Sequence, residues 1–340
     1  MKVLVVKLTS MGDVIHALPA LSDAQAALPG IRFDFLVEES FQEIPHWHPA
    51  VEQVIPVATR RWRKSLWRSR GEIRQTLRHL RSSEYDYVID IQGLLKSGLL
   101  SRLAKGVRCG YDRDSIRETL ACHFYHHRFA VSRQRHAIER VRSLFSQALG
   151  YAEPLKDDPV DYRITLPQKI KLPIQTVSDY CVFLHGTTWR AKEWPEASWR
   201  QLLASYADSG QPVYLPWGNA AEQARAERLQ AGLPHVSVLP KMTLSQLCLF
   251  IKNAQGVVAV DTGLGHLAAA LGRPTVSIYG PTDTRLIGTV GANQMHLCVN
   301  EHSISSSATS GFKKTAAFDY ATVTPTKVKQ SLNKLIGQTT

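Results

Sequence analysis

Short apolar runs alternate with longer amphipathic segments along the chain, and this alternation predicts an α/β protein. The apolar runs suit strands buried on both faces, and they stand at 2–8, 31–37, 51–57, 87–91, 180–184, 212–215, 236–239, 257–260 and 275–279. Segments with helical spacing of apolar residues stand at 14–28, 72–81, 94–104, 136–149, 198–207, 221–230, 243–251, 266–271 and 326–336. Strand and helix alternate in both halves, which is typical of two doubly wound domains.

A proline-rich stretch separates the two halves. Residues 151–178 contain four prolines and little periodicity, so we interpret them as an interdomain connection. The predicted domains are then 1–150 and 179–322, followed by a C-terminal helix and tail at 323–340. Within the second half, the stretch 301–317 is rich in Ser, Thr and Lys, and we expect it to be mobile.

The composition is that of a folded protein without a membrane span. Hydrophobic residues make up 44% of the 340 residues, which is enough for two packed cores and excludes global disorder. No apolar run reaches the roughly 18 residues of a membrane span, and the N-terminal residues lack the features of a signal peptide. The five cysteines are scattered, which fits a reducing cytoplasm and excludes a zinc site built from cysteines.

The chain carries a formal net charge of +12, and part of this charge lies in residues 59–70, TRRWRKSLWRSR. Such an excess predicts an acidic partner, a class that includes nucleic acids, anionic membranes and anionic substrates. The simplest interpretation of 59–70 is a solvated basic loop. Trp62 and Trp67 are unusual in such a loop and indicate either docking onto the protein or contact with an anionic, partly apolar ligand.

Several common site motifs are missing. Neither half has G-x-G-x-x-G after its first strand, and no G-x-x-x-x-G-K-[ST] or G-x-S-x-G occurs, which disfavours nicotinamide enzymes, P-loop NTPases and acyl transfer. Residues 112–114 have the D-x-D form of some metal-binding enzymes, but an arginine separates the carboxylates and we expect no metal there. His123, His126 and His127 are not framed by a zinc motif.

Polar turns follow three of the predicted strands, at the sheet edge where ligands of open α/β proteins bind. One turn ends at Asp13, a second contains the hydroxyls of residues 187–188 and then Lys192, and a third is the D-T-G of 261–263. Hydroxyls, a lysine and a helix N-terminus suit a diphosphate without requiring a metal. An aspartate suits a general base, and group transfer needs both functions. The more ordinary interpretation is that these aspartates only cap helices.

Three motifs in fixed order resemble one enzyme family. They are SMGDVIHALPAL at 10–21, HGTTWRAKEWP at 185–195 and DTGLGHLAAALGRP at 261–274. With them the chain resembles the ADP-heptose:lipopolysaccharide heptosyltransferases, most closely the heptosyltransferase I group, which adds the first heptose to the Kdo region of lipid A. The resemblance implies the GT-B architecture: α/β, two Rossmann-like doubly wound domains facing a central cleft. It also implies no essential metal and no cofactor, with ADP-heptose as the donor substrate.

The resemblance assigns roles to individual residues. Asp13 would deprotonate the Kdo hydroxyl, which attacks the anomeric carbon of ADP-heptose with inversion. The donor would be bound by Thr187, Thr188, Lys192, Glu222, Met242, Asp261, Thr262, Gly263 and His266. The acceptor would be bound by Ser10, Gly12, Arg60, Arg61, Arg63 and Lys64, whose cations suit Kdo carboxylates and lipid A phosphates. For Glu222 an ordinary exposed helix glutamate is the alternative.

The expected partners follow from this resemblance. We expect a cytoplasmic monomer that acts on Kdo2-lipid A at the inner leaflet of the inner membrane, with Trp62 and Trp67 at the membrane interface, and without a nucleic-acid partner. Two alternatives stay open. One is heptosyltransferase II or another family member with a different core acceptor. The other is a non-catalytic module that binds nucleic acid or membrane through its +12 charge.

Overall fold

In a computed structural model the chain forms two compact units, Met1–Pro167 and Gln168–Thr340. The residues that the structure describes are 1–156, 158–175, 177–299 and 318–338. The stretch 301–317, for which we predict mobility, lies outside the described residues. The predicted connection 151–178 contains no helix or strand in its described part, and its first portion belongs to the first unit.

The first unit is built on a six-stranded parallel sheet. Its strands are β1 (Lys2–Val6), β2 (Arg32–Glu38), β3 (Val51–Val57), β4 (Glu84–Asp90), β5 (Lys105–Tyr111) and β6 (His127–Phe129). Its helices are α1 (Met11–Ile15), α2 (Leu18–Ala27), α3 (Glu43–His46), α4 (Thr59–Lys64), α5 (Leu66–Ser82), α6 (Leu95–Leu103) and α7 (Ala137–Leu149). The strand order is β3-β2-β1-β4-β5-β6, so it reverses between β1 and β4.

The second unit repeats this arrangement. Its strands are β7 (Cys181–Leu184), β8 (Val213–Leu215), β9 (Val236–Val238), β10 (Gly256–Val260), β11 (Thr275–Tyr279) and β12 (Gln294–Cys298). Its helices are α8 (Glu196–Ala204), α9 (Ala220–Gln230), α10 (Leu244–Lys252), α11 (Gly263–Ala270), α12 (Thr284–Ile287) and α13 (Pro325–Gly337). The parallel order β12-β11-β10-β7-β8-β9 reverses between β7 and β10. The prediction of two Rossmann-like doubly wound domains is therefore confirmed.

The apolar runs form strands because helices cover both faces of each sheet. Every residue of β10 and of β11 is buried, which explains why these segments are apolar without alternation. β5 and β12 were not predicted, because glycines, cysteine, histidine and arginine interrupt their apolar pattern. The predicted helix 14–28 is two helices, α1 and α2, and Pro19 lies in the first turn of α2, where its missing N–H costs no helical hydrogen bond.

The interpretation of the basic segment 59–70 as a solvated loop is wrong. Its residues form α4 and the start of α5. Trp62 is only 8% exposed and packs in the cluster that contains Leu8, Ala58 and Leu80. Burial of this indole against the sheet gives α4 an apolar side, which the local run of arginines conceals.

The C-terminal helix α13 belongs to the core of the second unit. Val328, Leu332 and Leu335 are buried in the same cluster as the residues of β7 and β10. A Cβ atom at Gly256 would lie 2.9 Å from side-chain atoms of Leu332 and Ile336, so glycine permits the close approach of helix and strand. The predicted segment 323–340 is thus packed against the second unit in its described part.

Candidate active site

Asp13 lies in the turn after β1, where the strand order of the first unit reverses. Its Oδ2 accepts hydrogen bonds from the backbone N–H of Ser10 (2.8 Å) and from the Ser10 hydroxyl (2.7 Å). Asp13 is the third residue of α1, so this pair forms a reciprocal cap of the helix start. Asp13 thus takes part in the cap from the third helical position, but the N-cap residue is Ser10, so the interpretation of Asp13 as the N-cap is not confirmed. The side chain is nevertheless 40% exposed and accessible to a substrate.

A lysine that sequence analysis missed stands beside this carboxylate. Lys7 Nζ lies 3.5 Å from Asp13 Oδ1, and its side chain is 9% exposed. Burial opposes ionisation of Asp13, but the Lys7 ammonium, the Ser10 hydrogen bonds and His16 outweigh it and hold the pKa of Asp13 well below its usual range. Asp13 is therefore ionised at neutral pH. The available signal was a lysine at the end of the otherwise apolar run of the first strand.

The basic residues proposed for the acceptor differ in their surroundings. Arg60, Arg63 and Lys64 are exposed and form no ion pair within the described part of the chain. Arg61 instead bridges Glu39 and Glu72, with its Nη2 2.8 Å from an oxygen of each. Those hydrogen bonds raise the pKa of Arg61. Of the four cations proposed for the acceptor, only Arg61 has an ion pair among the described residues, and it joins α4 to α5 and to the segment after β2.

Only one of the two tryptophans is available for an interface. The Trp67 side chain is 82% exposed and the neighbouring Leu66 is 64% exposed at the start of α5. The prediction that Trp62 lies at a membrane interface is wrong, because this residue is core. Among the described residues no helix is both long and apolar enough to cross a bilayer.

In the second unit, two contacts join the turns after β7 and β10, and a third contact comes from the turn after β11. The Thr187 hydroxyl donates to the backbone carbonyl oxygen of Asp261 at 3.0 Å. Lys192 Nζ lies 2.6 Å from Asp261 Oδ2, with side chains 20% and 6% exposed. The Thr282 hydroxyl donates to the same carboxylate. The structure therefore brings Thr187, Lys192 and Asp261 together, and it adds Thr282, which the sequence did not indicate.

The helix that follows β10 begins without a side-chain cap. Thr262 is the N-cap residue of α11, but its side chain makes no capping hydrogen bond. Asp261 bonds to Lys192 and Thr282 rather than to the helix start. Asp261 therefore does not cap α11, and Thr262 occupies the N-cap position without a side-chain hydrogen bond to the first N–H groups of the helix. His266 is buried in this helix.

Glu222 lies close to the turn after β7. Its Oε2 accepts a hydrogen bond of 2.7 Å from the backbone N–H of Gly218. A Cβ atom at Gly186 would lie 2.8 Å from Glu222 Cδ, so the carboxylate rests directly on the glycine that precedes Thr187. Glu222 is thus a partly buried group at this edge rather than an ordinary exposed helix glutamate. Thr188 is exposed and Met242 is half-buried between β9 and α10.

The described residues contain no group of three His, Cys, Asp or Glu side chains suited to a metal ion. In the 112–114 segment, Asp112 accepts a hydrogen bond of 2.9 Å from the backbone N–H of Ser115, as a turn residue does. Asp114 is exposed.

The sequence of the chain matches a family of transferases. Residues 73–316 match the family described as Glycosyltransferase family 9 (heptosyltransferase). The chain is 52% identical to Lipopolysaccharide heptosyltransferase 1 of Pseudomonas aeruginosa over 300 residues, which cover 87% of this chain and 83% of that one. It is 50% identical to Lipopolysaccharide heptosyltransferase 1 of Escherichia coli K12 over 298 residues, 87% of this chain and 92% of that one.

A solved structure supports the same relationship. E. coli heptosyltransferase WaaC with ADP superposes with a TM-score of 0.85 at 45% identity, covering 98% of this chain and all of that one (100%). The same enzyme with ADP-2-deoxy-2-fluoro heptose gives a TM-score of 0.82 at 44% identity, covering 98% and 99%. By sequence and by fold, the chain belongs to glycosyltransferase family 9, the heptosyltransferase family.

Proposed function

We propose that the protein transfers L-glycero-D-manno-heptose from ADP-heptose to the Kdo region of Kdo2-lipid A, with inversion at the anomeric carbon. The observation that carries this proposal is the identity of 50–52%, over most of the chain, to relatives named Lipopolysaccharide heptosyltransferase 1. The likeness to WaaC in complex with ADP and with an ADP-heptose analogue supports ADP-heptose as the donor.

Asp13 is the proposed general base. It is ionised at neutral pH, it is 40% exposed, and Lys7 and Ser10 fix its orientation. The acceptor oxygen forms a bond to the anomeric carbon and gives its proton to Asp13, while the carbon–oxygen bond to the diphosphate breaks and ADP leaves with the electron pair. Because a carboxylate of lowered pKa is a weak base, proton transfer follows rather than precedes formation of the new bond.

The donor residues divide by chemistry. Thr187, Thr188 and Lys192 offer hydroxyls and an ammonium to the diphosphate, and the N–H groups at residues 262–263 offset the charge that develops on ADP. Asp261 accepts from heptose hydroxyls, and His266 lines the same pocket. Glu222 binds the ribose and Met242 borders the adenine. No metal or cofactor takes part in this proposal.

The acceptor and the membrane are proposed to meet the first unit at α4 and α5. Arg60, Arg63 and Lys64 are exposed and unpaired within the described residues, and they suit Kdo carboxylates and lipid A phosphates. Ser10 and Gly12 would contact the acceptor next to Asp13. Trp67 and Leu66 are exposed beside these cations, a combination that favours the anionic cytoplasmic surface of the inner membrane.

The test is acceptor-dependent release of ADP from ADP-heptose in excess EDTA, with deacylated Kdo2-lipid A as acceptor. The wild type is compared with Asp13→Ala and with Asp114→Asn, which removes an exposed carboxylate that has no role in this proposal. We expect release that survives EDTA, collapses in Asp13→Ala and persists in Asp114→Asn. Loss of activity with EDTA would contradict the metal-free mechanism, and an active Asp13→Ala would exclude this base.

A second comparison, of ADP release with two different acceptors, identifies which heptose the protein adds. If an acceptor that already carries the first heptose supports faster release than deacylated Kdo2-lipid A, the protein adds a later heptose. If no acceptor supports turnover and the protein binds anionic polymers with strong salt dependence, the binding-module alternative is favoured.

A further inference from the structure

A buried aspartate shapes the turn that follows β4, beside the Asp13 turn. Asp90 is completely buried, and its Oδ1 accepts the backbone N–H groups of Gln92 (2.8 Å) and Gly93 (3.2 Å). The Tyr125 hydroxyl donates to its other oxygen at 2.7 Å. These bonds fix the backbone of Gln92 and thereby the direction in which its side chain leaves the turn.

The Gln92 side chain crosses to the chain that leads to Asp13. Its Oε1 accepts the backbone N–H groups of Leu8 and of Thr9, each at 3.1 Å, and the residue is 7% exposed. The backbone hydrogen bonds between β1 and β4 end one residue before Gln92, where the Ile91 N–H donates to the Val6 carbonyl oxygen at 3.2 Å. Since two N–H donors require an oxygen acceptor, they also determine which way the amide of Gln92 is turned.

In the sequence, Leu8 and Thr9 separate the two residues whose side chains contact the Asp13 carboxylate. Lys7 precedes them and Ser10 follows, and both contact the Asp13 carboxylate. A side chain that anchors residues 8 and 9 therefore determines where the ammonium and the hydroxyl stand. We propose that Gln92 is a positioning residue for the reaction, whose carbonyl oxygen holds the turn that orients Asp13. This inference rests on the proposed role of Asp13 as the base.

The competing explanation uses the other end of the same amide. The Gln92 NH2 group makes no hydrogen bond to the described residues, so it is able to donate to the acceptor substrate instead. Three substitutions separate the two roles. Gln92→Glu keeps an oxygen acceptor at the same reach but lacks the NH2 group, Gln92→Asn keeps both groups but is one methylene shorter, and Gln92→Leu lacks both. Gln53→Asn, on an exposed residue of β3, is the matched control.

The experiment measures kcat, both KM values and thermal unfolding for these variants in the ADP-release assay. We expect kcat to fall about 10- to 100-fold in Gln92→Asn and Gln92→Leu, because displacement of a base by about 1 Å costs this much. Gln92→Glu should stay within about threefold of wild type at pH 8. The KM for ADP-heptose should not change in any variant, since the donor residues lie in the other unit.

A pH profile reports on the carboxylate itself. If the turn loosens, Asp13 loses contacts that stabilise its ionised form, so its pKa rises toward the ordinary value of about 3.9. The acidic limb of kcat should then move to higher pH in Gln92→Asn but not in Gln92→Glu. A purely structural loss of folded protein would lower kcat at every pH alike.

The outcomes are separable. Gln92→Asn and Gln92→Leu that stay folded and within twofold of wild type would overturn the inference. A Gln92→Glu variant that loses as much activity as Gln92→Leu, mainly by a higher acceptor KM, would assign the NH2 group to substrate binding and overturn it too. If Gln92→Leu does not fold, Gln92→Asn and Gln92→Glu still decide. Asp13→Asn, run in parallel, tests the base independently: an active Asp13→Asn refutes the proposed base, whatever the Gln92 variants do.

Discussion

The variants Asp261→Asn and Lys192→Met test whether the Asp261 carboxylate competes with the diphosphate of ADP for the Lys192 ammonium. Lys192 Nζ lies 2.6 Å from Asp261 Oδ2, so the ammonium proposed for the diphosphate is already bound to a carboxylate. A bound diphosphate must therefore replace Asp261 as the partner of the Lys192 ammonium or share the ammonium with it. ADP binding is therefore expected to include the cost of weakening this pair, and the two substitutions should change ADP affinity in opposite directions.

The magnitudes follow from the burial of the two side chains. A hydrogen bond from an ammonium to a phosphate contributes about 1.5–3 kcal/mol net, so Lys192→Met should weaken ADP binding about 10- to 100-fold. The Lys192 side chain is 20% exposed, so its ion pair with Asp261 is partly solvated. Weakening this pair is expected to reduce the free energy of ADP binding by about 1 kcal/mol. Asp261→Asn should therefore strengthen ADP binding about fivefold.

Calorimetric titration of ADP into both variants at one ionic strength tests this, with thermal unfolding as the control. Lys192→Met leaves the Asp261 carboxylate, which is 6% exposed, with the Thr282 hydroxyl as its remaining partner among the described residues. This loss should lower the free energy of unfolding by about 2 kcal/mol and the melting temperature by roughly 4–8 °C. With ADP-heptose in place of ADP, Asp261→Asn should lower kcat, because it replaces the carboxylate proposed to accept hydrogen bonds from the heptose hydroxyls with a neutral amide that has one acceptor oxygen. Equal weakening of ADP binding by both substitutions would refute the competition.

Three further predictions concern single residues. Lys7→Met should move the acidic limb of kcat/KM to higher pH, because the Lys7 ammonium lowers the pKa of Asp13; the measurement is a pH–rate profile. Gly186→Ala should raise the KM for ADP-heptose about tenfold, because the new Cβ would lie 2.8 Å from Glu222 Cδ and displace that carboxylate. His185 is buried, and burial and the nearby Arg225 lower its pKa to about 4. Between about pH 6.5 and 4 the unfolded chain binds a proton that the folded chain does not, so this residue should lower the free energy of unfolding by about 1.4 kcal/mol per pH unit as the pH falls.

The following controls and contradicting results apply to these predictions. An unchanged acidic limb in Lys7→Met would show that the lysine does not set the ionisation of Asp13. Gly71→Ala adds a Cβ with no atom within 4 Å and should leave both KM values unchanged. For His185, urea unfolding of the wild type is compared with His185→Gln at several pH values, and equal slopes for the two proteins would contradict the assignment.

The sequence by itself determined the architecture and the candidate turns. Apolar runs such as 257–260 predict buried parallel strands because only a sheet covered on both faces accommodates them, and the structure confirms this for β10. The polar residues that end these runs must then lie at one edge of a parallel sheet. Asp13, Lys192 and Asp261 were found in this way, since strand direction alone places them.

Only the tertiary structure decided which of these groups touch. Gln92 and Leu8 are 84 positions apart and meet only because β4 lies beside β1. Trp62, in a run of arginines, is core rather than interface because α4 folds against the sheet. Local patterns report the period of an element and the face that it buries. The partner of a polar side chain depends instead on strand order and on distances of a few ångströms, and these arise only when the strands have assembled.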